Sequence, residues 1–236
     1  MTRPRIVLLH SPFVGPSTWI RVAVALRGLG WDVPEPVRAA AGDLEPPYYP
    51  RLARLIASGI EADVGNPLIL IAHSGAGGLL PSVAEAIGSS VRAAVFVDAV
   101  LPHPGRSWFQ TAPEDLAADL RARIERGRLP PWNQWFAPEI LARLLPDAAA
   151  RAAFVADFEA VPAAYCDEPA PVCPHWPPHG CAYLQLSGGY AAEADTAAAM
   201  GWLFRRDIIH HLATVTHPDR VARSLHSMIQ ALTDSS

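Results

Sequence analysis

The stretch Leu68-Ile-Leu-Ile-Ala-His-Ser-Gly-Ala-Gly-Gly78 decides how this chain folds. Its apolar run leads through Ser74 into glycines that open a helical pattern. Such a run indicates a buried strand followed by a sharp strand-to-helix turn. The turn requires small side chains two residues before and after the serine, because larger ones would collide with the adjoining strand and helix. Ala72 and Ala76 meet this requirement, although the glycines usual at these positions are absent.

Ser74 is therefore a candidate nucleophile. It lies just ahead of a predicted helix N-terminus, where the helix dipole favours developing negative charge. The backbone N–H of Gly75 is then placed to donate a hydrogen bond to an oxyanion. Ser74 could instead only cap the helix. Its position after an apolar strand and before two further strand–helix units favours the catalytic interpretation.

Apolar strand patterns alternate with helical patterns on both sides of this turn. The predicted strands are Arg5–Leu9, Leu68–Ala72, Ala93–Val97, Ala182–Ser187 and Leu203–Ile209, with a further short strand over Trp31–Val37. The predicted helices are Ser17–Leu29, Tyr48–Glu61, Gly75–Ile87, Ala191–Met200 and Pro218–Leu232. Apolar strands that alternate with helices indicate a mostly parallel sheet with both faces covered. We expect one α/β domain over residues 1–236.

Residues 103–178 interrupt this alternation. They contain helical patterns over Pro113–Arg126, Pro138–Leu145 and Ala148–Glu159, and several aromatic residues, including Trp132 and Trp135. Open parallel sheets bind ligands beyond the carboxyl ends of their strands. We therefore expect a helical lid at about 103–178 on a core of residues 1–102 and 179–236. Trp132 and Trp135 would line the pocket or form the core of the lid.

Three further segments resemble the α/β-hydrolase family, especially small members such as plant methylesterases and hydroxynitrile lyases. His10-Ser-Pro-Phe-Val-Gly-Pro-Ser-Thr-Trp19 is similar to the family's first-strand loop. Val95-Phe-Val-Asp-Ala-Val-Leu-Pro102 is similar to the strand after the nucleophile's helix. His210-His-Leu-Ala-Thr-Val-Thr-His-Pro218 is similar to the segment that carries the catalytic histidine. The resemblance implies an α/β-hydrolase fold with a serine, an acid and a histidine.

A serine hydroxyl needs a base to become a nucleophile. The resemblance places that base on His211, with His210 as the alternative. The resemblance implies an acid just after the strand Ala182–Ser187, where this chain has Gly or Tyr. Asp98 fits a second family placement, after the preceding strand, and is preferred over Glu193. Hydrogen bonds to backbone N–H groups would also explain a buried Asp98.

The loop after the first strand departs from the family pattern. The resembling enzymes have His-Gly-x, in which x donates a backbone N–H to the oxyanion, whereas this chain has His10-Ser11-Pro12. Proline has no N–H, and loss of one such donor costs about 2.7–4 kcal/mol. The Phe13 N–H or the Ser11 hydroxyl could replace it. We expect this loop, with His73, to contact the oxyanion or the substrate.

Composition restricts the partners. The net charge of −4 leaves no basic surplus for nucleic acid. No apolar run reaches the roughly 18 residues of a membrane span, and the N-terminus lacks a signal-peptide pattern. The odd number of cysteines, three, argues against a disulfide framework. Their spacing with nearby histidines matches no common zinc pattern. We expect a cytoplasmic protein with no membrane partner, no metal and no cofactor, and with a homodimer left open.

The leading expectation is a serine hydrolase that cleaves an ester, thioester or similar carbonyl bond of a small-molecule substrate. The departure at Pro12 keeps a second enzyme class open, a lyase or epimerase that uses His211 as its base. A third hypothesis is a binding protein that retains the fold without the chemistry.

Overall fold

Five parallel strands form one sheet in the order β1-β2-β3-β4-β5. The computed structural model describes residues 3–38, 40–60 and 66–234. The strands are β1 (Arg5–Leu9), β2 (Leu68–Ser74), β3 (Val91–Ala99), β4 (Gly180–Gln185) and β5 (Leu203–Arg206). The central strands β2 and β3 are buried along almost their whole length, because helices cover both faces of the sheet. The predicted α/β class is confirmed.

Eleven α-helices occur in the described part of the chain. They are α1 (Ile20–Gly28), α2 (Tyr48–Gly59), α3 (Leu80–Ile87), α4 (Trp108–Thr111), α5 (Glu114–Ala122), α6 (Pro138–Leu144), α7 (Ala148–Val155), α8 (Ala163–Asp167), α9 (Ala191–Ala199), α10 (Ala213–Thr216) and α11 (Pro218–Asp234). Short 3₁₀ turns cover Pro16–Thr18, Gly75–Leu79, Trp132–Gln134 and Gly188–Tyr190. The helix predicted from Ser17 thus begins at Ile20, and the helix predicted from Gly75 begins with a 3₁₀ turn.

Alternate residues of β1 enter two different cores, as the two-residue period of a strand requires. Ile6 and Leu8 pack with residues of α1 and α11 on one face of the sheet. Val7 and Leu9 pack with residues of α2, α3 and α9 on the other. No helix in the described ranges is long and apolar enough to cross a membrane.

Two strand predictions were too long. Trp31–Val37 contributes only one parallel bridge, between Asp32 and Arg5. Pro34 and Pro36 lack the N–H groups that would continue the ladder. The strand predicted over Leu203–Ile209 ends at Arg206, and the chain then turns into the loop that carries His211. The predicted end of α2 at Glu61 lies outside the described residues.

Residues 103–178 contain helices α4 to α8 and no strand longer than an isolated bridge. Leu141, Leu145 and Phe154 from this segment form a small core with Leu212 and Val215, which follow β5. The segment therefore packs against the loop that leaves the carboxyl end of the sheet.

Candidate active site

Ser74 ends β2 in a strained backbone conformation, with φ 58° and ψ −129°. A non-glycine residue in such a sparsely populated region costs about 1–3 kcal/mol and persists only where the surroundings enforce it. Packing enforces it here. Ala72 and Ala76 are completely buried, and a Cβ added at Gly77 would lie 2.0 Å from the carbonyl oxygen of Val100. The turn thus presents the Ser74 hydroxyl at the carboxyl edge of the sheet.

Three side chains distant in sequence form a continuous hydrogen-bonded chain at this edge. The Nε2 atom of His211 lies 3.1 Å from Ser74 Oγ. The Nδ1 atom of the same ring lies 2.8 Å from Asp98 Oδ2. With the Nδ1 proton donated to the carboxylate, Nε2 carries a lone pair directed at the serine hydroxyl.

A β-bulge directs Asp98 towards His211. In the pairing of β2 with β3, His73 is opposite Val97 and Ser74 is opposite Ala99, so Asp98 is left without a partner. Its φ of 45° is one that Asp tolerates better than most residues. A bulge at a strand end reorients one side chain. The Tyr183 hydroxyl stabilises the end of the strand by accepting from the Ala99 N–H at 3.0 Å and donating to the Ala99 carbonyl at 2.7 Å.

Asp98 is completely buried and fully hydrogen-bonded. Its Oδ1 atom accepts from the N–H groups of Leu186 and Ser187, both at 2.9 Å. Its Oδ2 atom accepts from the Ser187 hydroxyl at 2.6 Å and from His211. Burial alone would raise the pKa of Asp98, but the hydrogen bonds and the His211 charge outweigh it and lower the pKa. The group therefore stays a carboxylate.

The His211 ring lies between two other aromatic rings. His73 stacks on one side, with ring centroids 4.5 Å apart and planes at 28°. Tyr190 stacks at 5.0 Å and 12°. The His73 Nε2 atom also lies 3.0 Å from the His211 carbonyl oxygen. Burial, followed by the nearby His211, lowers the pKa of His73 to about 3, so His73 is a neutral ring that restrains the orientation of His211.

The Ser11 hydroxyl lies beside the start of the serine turn. A Cβ added at Gly75 would be only 2.7 Å from Ser11 Oγ, so the absence of a side chain at Gly75 leaves room for this hydroxyl. The Phe13 N–H donates to Ser11 Oγ at 3.3 Å. Pro12 is buried and has no N–H to offer. The polar group of this loop nearest the turn is thus a hydroxyl.

A small cavity lies over Ser74. Its lining includes Ser11, His211, Trp132, Phe154 and Leu212, and its free volume is about 10 Å³, room for about one water molecule. A larger space of about 800 Å³ lies elsewhere, near the chain ends and the amino ends of the strands, and contains none of these groups.

Six predicted site residues lie outside this lining: Asp98, Gly75, Pro12, Phe13, Trp135 and His10. The last two lie farther from the serine. Trp135 packs behind Phe13, with ring centroids 4.8 Å apart, and its indole N–H donates to the carbonyl of Pro130. His10 is buried with Nδ1 2.8 Å from the carbonyl oxygen of Ser11. Trp135 therefore packs against the loop after β1, and His10 forms a hydrogen bond within that loop.

The alternative residues lie apart from the hydrogen-bonded chain. His210 Nε2 is 3.0 Å from the Thr216 hydroxyl. Glu193 is half-buried on α9, and burial raises its pKa. Among the histidines near the three cysteines, His175 pairs with Glu85 at 3.0 Å. Within the described ranges, no group of three or more His, Cys, Asp or Glu side chains is arranged to hold a metal.

Tyr190 is the site residue that the sequence reasoning missed. Its hydroxyl lies 3.2 Å from Ser74 Oγ. The sequence showed that a Gly or Tyr stands where the family's usual acid is expected, but not that the tyrosine would reach the serine. The one available signal was an aromatic residue in a glycine-rich loop at the carboxyl end of β4.

Together, the parallel sheet, the strained serine turn and the adjacent imidazole are typical of an α/β-hydrolase. The chain matches the alpha/beta hydrolase family over residues 6–224 and belongs to that family. The family resemblance noted from the sequence is confirmed.

One curated relative is the carbendazim hydrolyzing esterase of Nocardioides sp. (strain SG-4G), with 29% identity over 126 residues. The match covers 51% of this chain and 52% of that enzyme, so the chain spans about half the length of this relative.

Solved structures share the fold over nearly the whole chain. An extracellular α/β-hydrolase from a Paenibacillus species has a TM-score of 0.77 and 19% identity, covering 95% of this chain and 98% of that one. A pyrethroid hydrolase from Sphingobium faniae JZ-2 has a TM-score of 0.69 and 16% identity, covering 99% and 100%. Tomato methylketone synthase I has a TM-score of 0.68 and 16% identity, covering 98% and 100%. At these identities the likeness shows the fold.

Proposed function

We propose that this protein is a serine hydrolase that cleaves an ester, thioester or similar carbonyl bond of a small-molecule substrate. The observation that carries the proposal is the hydrogen-bonded chain from Ser74 Oγ through His211 to Asp98, with distances of 3.1 Å and 2.8 Å. The esterase and hydrolase activities named for its relatives support hydrolysis.

In the proposed reaction, Ser74 Oγ attacks the substrate carbonyl carbon while its proton passes to His211 Nε2. The electron pair of the C=O π bond moves to the carbonyl oxygen. Asp98 holds the Nδ1 proton in place and stabilises the imidazolium that forms. The oxyanion then re-forms the C=O bond as the bond between carbon and the leaving group breaks, and the leaving group takes the proton from His211. A water molecule releases the acyl group by the same steps, with His211 again as base.

Two donors would stabilise the oxyanion. One is the N–H of Gly75, directly after the nucleophile. The other is the Ser11 hydroxyl, which accepts from the Phe13 N–H and so has its own proton free to donate. A hydroxyl in this position would replace the backbone donor that Pro12 removes.

We infer that residues 103–178 act as a lid. Trp132 and Phe154 from this segment line the cavity over Ser74, which has room for only about one water molecule. Little room is left over the serine, so we expect these side chains to move outward when a substrate binds. The aromatic lining favours an apolar group next to the scissile bond.

A fluorophosphonate label, which reacts with activated serines, tests the proposal. We expect the wild-type protein to be labelled, Ser74→Ala to remain unlabelled, and His211→Gln to react at least about 1,000-fold more slowly. Ser227→Ala, on α11, is the matched control and should be labelled at the wild-type rate. A folded wild-type protein that takes no label, or a labelled Ser74→Ala, would contradict the proposal.

The missing N–H at Pro12 favours a second candidate function, that of a lyase or epimerase in which His211 removes a proton from the substrate. In that case Ser74→Ala retains turnover while His211→Gln abolishes it. Turnover lost in both variants supports the hydrolase. Absence of turnover with any substrate, together with tight ligand binding, would indicate a binding protein.

A cytoplasmic location, the absence of nucleic-acid and membrane partners, and a homodimer remain predictions.

A further inference from the structure

The Tyr190 hydroxyl contacts the same oxygen atom that the proposed mechanism makes reactive. It lies 3.2 Å from Ser74 Oγ, while His211 Nε2 lies 3.1 Å from that atom. The serine hydroxyl has one proton and two lone pairs. When its proton is directed to His211, the Tyr190 hydroxyl must be the donor in the second contact.

The surroundings keep Tyr190 in this role. Burial raises the pKa of Tyr190 far above its ordinary value, so its proton is retained across the working pH range. The ring stacks on His211 at 5.0 Å, which fixes the direction of the hydroxyl. The same loop also supplies Ser187, whose hydroxyl donates to Asp98 at 2.6 Å.

We propose that Tyr190 is a catalytic residue that donates a hydrogen bond to Ser74 Oγ as charge develops on that oxygen. The inference rests on the proposed serine-hydrolase function. It adds a hydrogen-bond donor to the nucleophilic oxygen. Gly75 and Ser11, in contrast, would donate to the carbonyl oxygen of the substrate.

The contact would assist both halves of the reaction. In acylation, Oγ becomes negative as its proton leaves for His211 and before its bond to carbon is complete. In deacylation, Oγ takes back the electron pair of the breaking C–O bond and then receives the proton from His211. A donor at Oγ binds more strongly in both transition states than in the ground states, which is the condition for catalysis. Tyr190 keeps its own proton throughout.

The placement of the acid leaves this position in the loop after β4 open to another residue. The resemblance places the usual acid in the loop after β4, where Tyr190 lies. Here Asp98 provides the carboxylate from the neighbouring strand, at 2.8 Å from His211. The loop after β4 therefore does not supply the acid, and its Tyr190 hydroxyl contacts the nucleophile instead.

The test is Tyr190→Phe, which removes the hydroxyl and keeps the stacked ring. We expect p-nitrophenyl acetate hydrolysis to lose about 10- to 100-fold in kcat, with KM changed less than about threefold. Fluorophosphonate labelling of Ser74 should slow by a similar factor, because that reaction also uses Oγ as the nucleophile. Tyr49→Phe, a buried tyrosine on α2 beside Tyr165, is the matched control and should keep the wild-type rates.

A third variant, Tyr190→Leu, removes both ring and hydroxyl. If the ring alone matters, Tyr190→Phe keeps the wild-type kcat and only Tyr190→Leu loses activity, which would overturn the inference. Equal labelling rates for folded wild type and Tyr190→Phe would overturn it as well, while leaving the serine-hydrolase proposal intact. A wild-type protein that takes no label would refute the proposed function itself. Thermal unfolding of each variant confirms that the fold is retained.

Discussion

Asp98→Asn tests the proposed orientation of the base. The change removes one charge from a completely buried side chain that accepts four hydrogen bonds. The carbonyl oxygen of Asn can still accept from the N–H groups of Leu186 and Ser187. Its NH₂ group then faces His211 Nδ1. Two N–H groups cannot face each other, so the imidazole must carry its proton on Nε2, where it can no longer accept the Ser74 proton.

We expect Asp98→Asn to lose most of its catalytic rate but little of its stability. In serine enzymes of this type the wrong histidine tautomer costs about 10⁴-fold in kcat, which corresponds to roughly 5 kcal/mol in the activation barrier. Asn has nearly the same shape as Asp and keeps the backbone hydrogen bonds. The free energy of unfolding should therefore fall by only about 1–3 kcal/mol.

The assay compares kcat/KM for p-nitrophenyl acetate and the fluorophosphonate labelling rate between wild type and Asp98→Asn, with thermal unfolding as the check on folding. Glu193→Gln is the control, because Glu193 is the other carboxylate considered from the sequence and is only half-buried. It should retain activity within about threefold. The reasoning is refuted if folded Asp98→Asn stays within tenfold of wild type, or if Glu193→Gln shows the large loss instead.

Three further outcomes follow from the same structure. Ser11→Ala should lower kcat by about 10²–10³-fold, the usual effect of losing one oxyanion donor; an unchanged kcat would exclude the Ser11 hydroxyl from that role. Gly77→Ala should destabilise the fold by about 1–3 kcal/mol or more, because its Cβ would lie 2.0 Å from a backbone carbonyl oxygen. Gly28→Ala, at the end of α1, is the control, because no atom outside its own helix lies within 4 Å of the added Cβ. Its free energy of unfolding, measured like that of Gly77→Ala by urea titration, should be unchanged or higher. Stability should also fall as the pH drops from about 6.5 towards 4. Burial lowers the pKa of His10 to about 4 and that of His73 to about 3, both below the ordinary 6.5, so the unfolded chain binds protons that the folded chain excludes. Urea midpoints that do not change between pH 7 and pH 5 would contradict this.

Local patterns in the sequence were sufficient for the architecture. Apolar runs that alternate with amphipathic segments predicted the five parallel strands, because burial on both faces leaves no polar alternation. Small residues around Ser74 predicted the sharp turn, since only small side chains fit there. The strand over Trp31–Val37 was overestimated because its two prolines weigh more than its apolar residues.

The site itself depended on contacts between distant segments. His211 lies 113 residues from Asp98 and 137 from Ser74 along the chain, and Tyr190 lies 116 residues from Ser74. The sequence leaves His210 and His211 as alternatives because neighbouring residues in a loop can point in opposite directions. It leaves Asp98 and Glu193 as alternatives because they belong to different segments, and the sequence does not show which carboxylate reaches the histidine. A one-residue bulge at Asp98 and the stacking of His73, His211 and Tyr190 fix those directions. Such choices are made by packing across the carboxyl edge of the sheet, which a pattern within one segment does not contain.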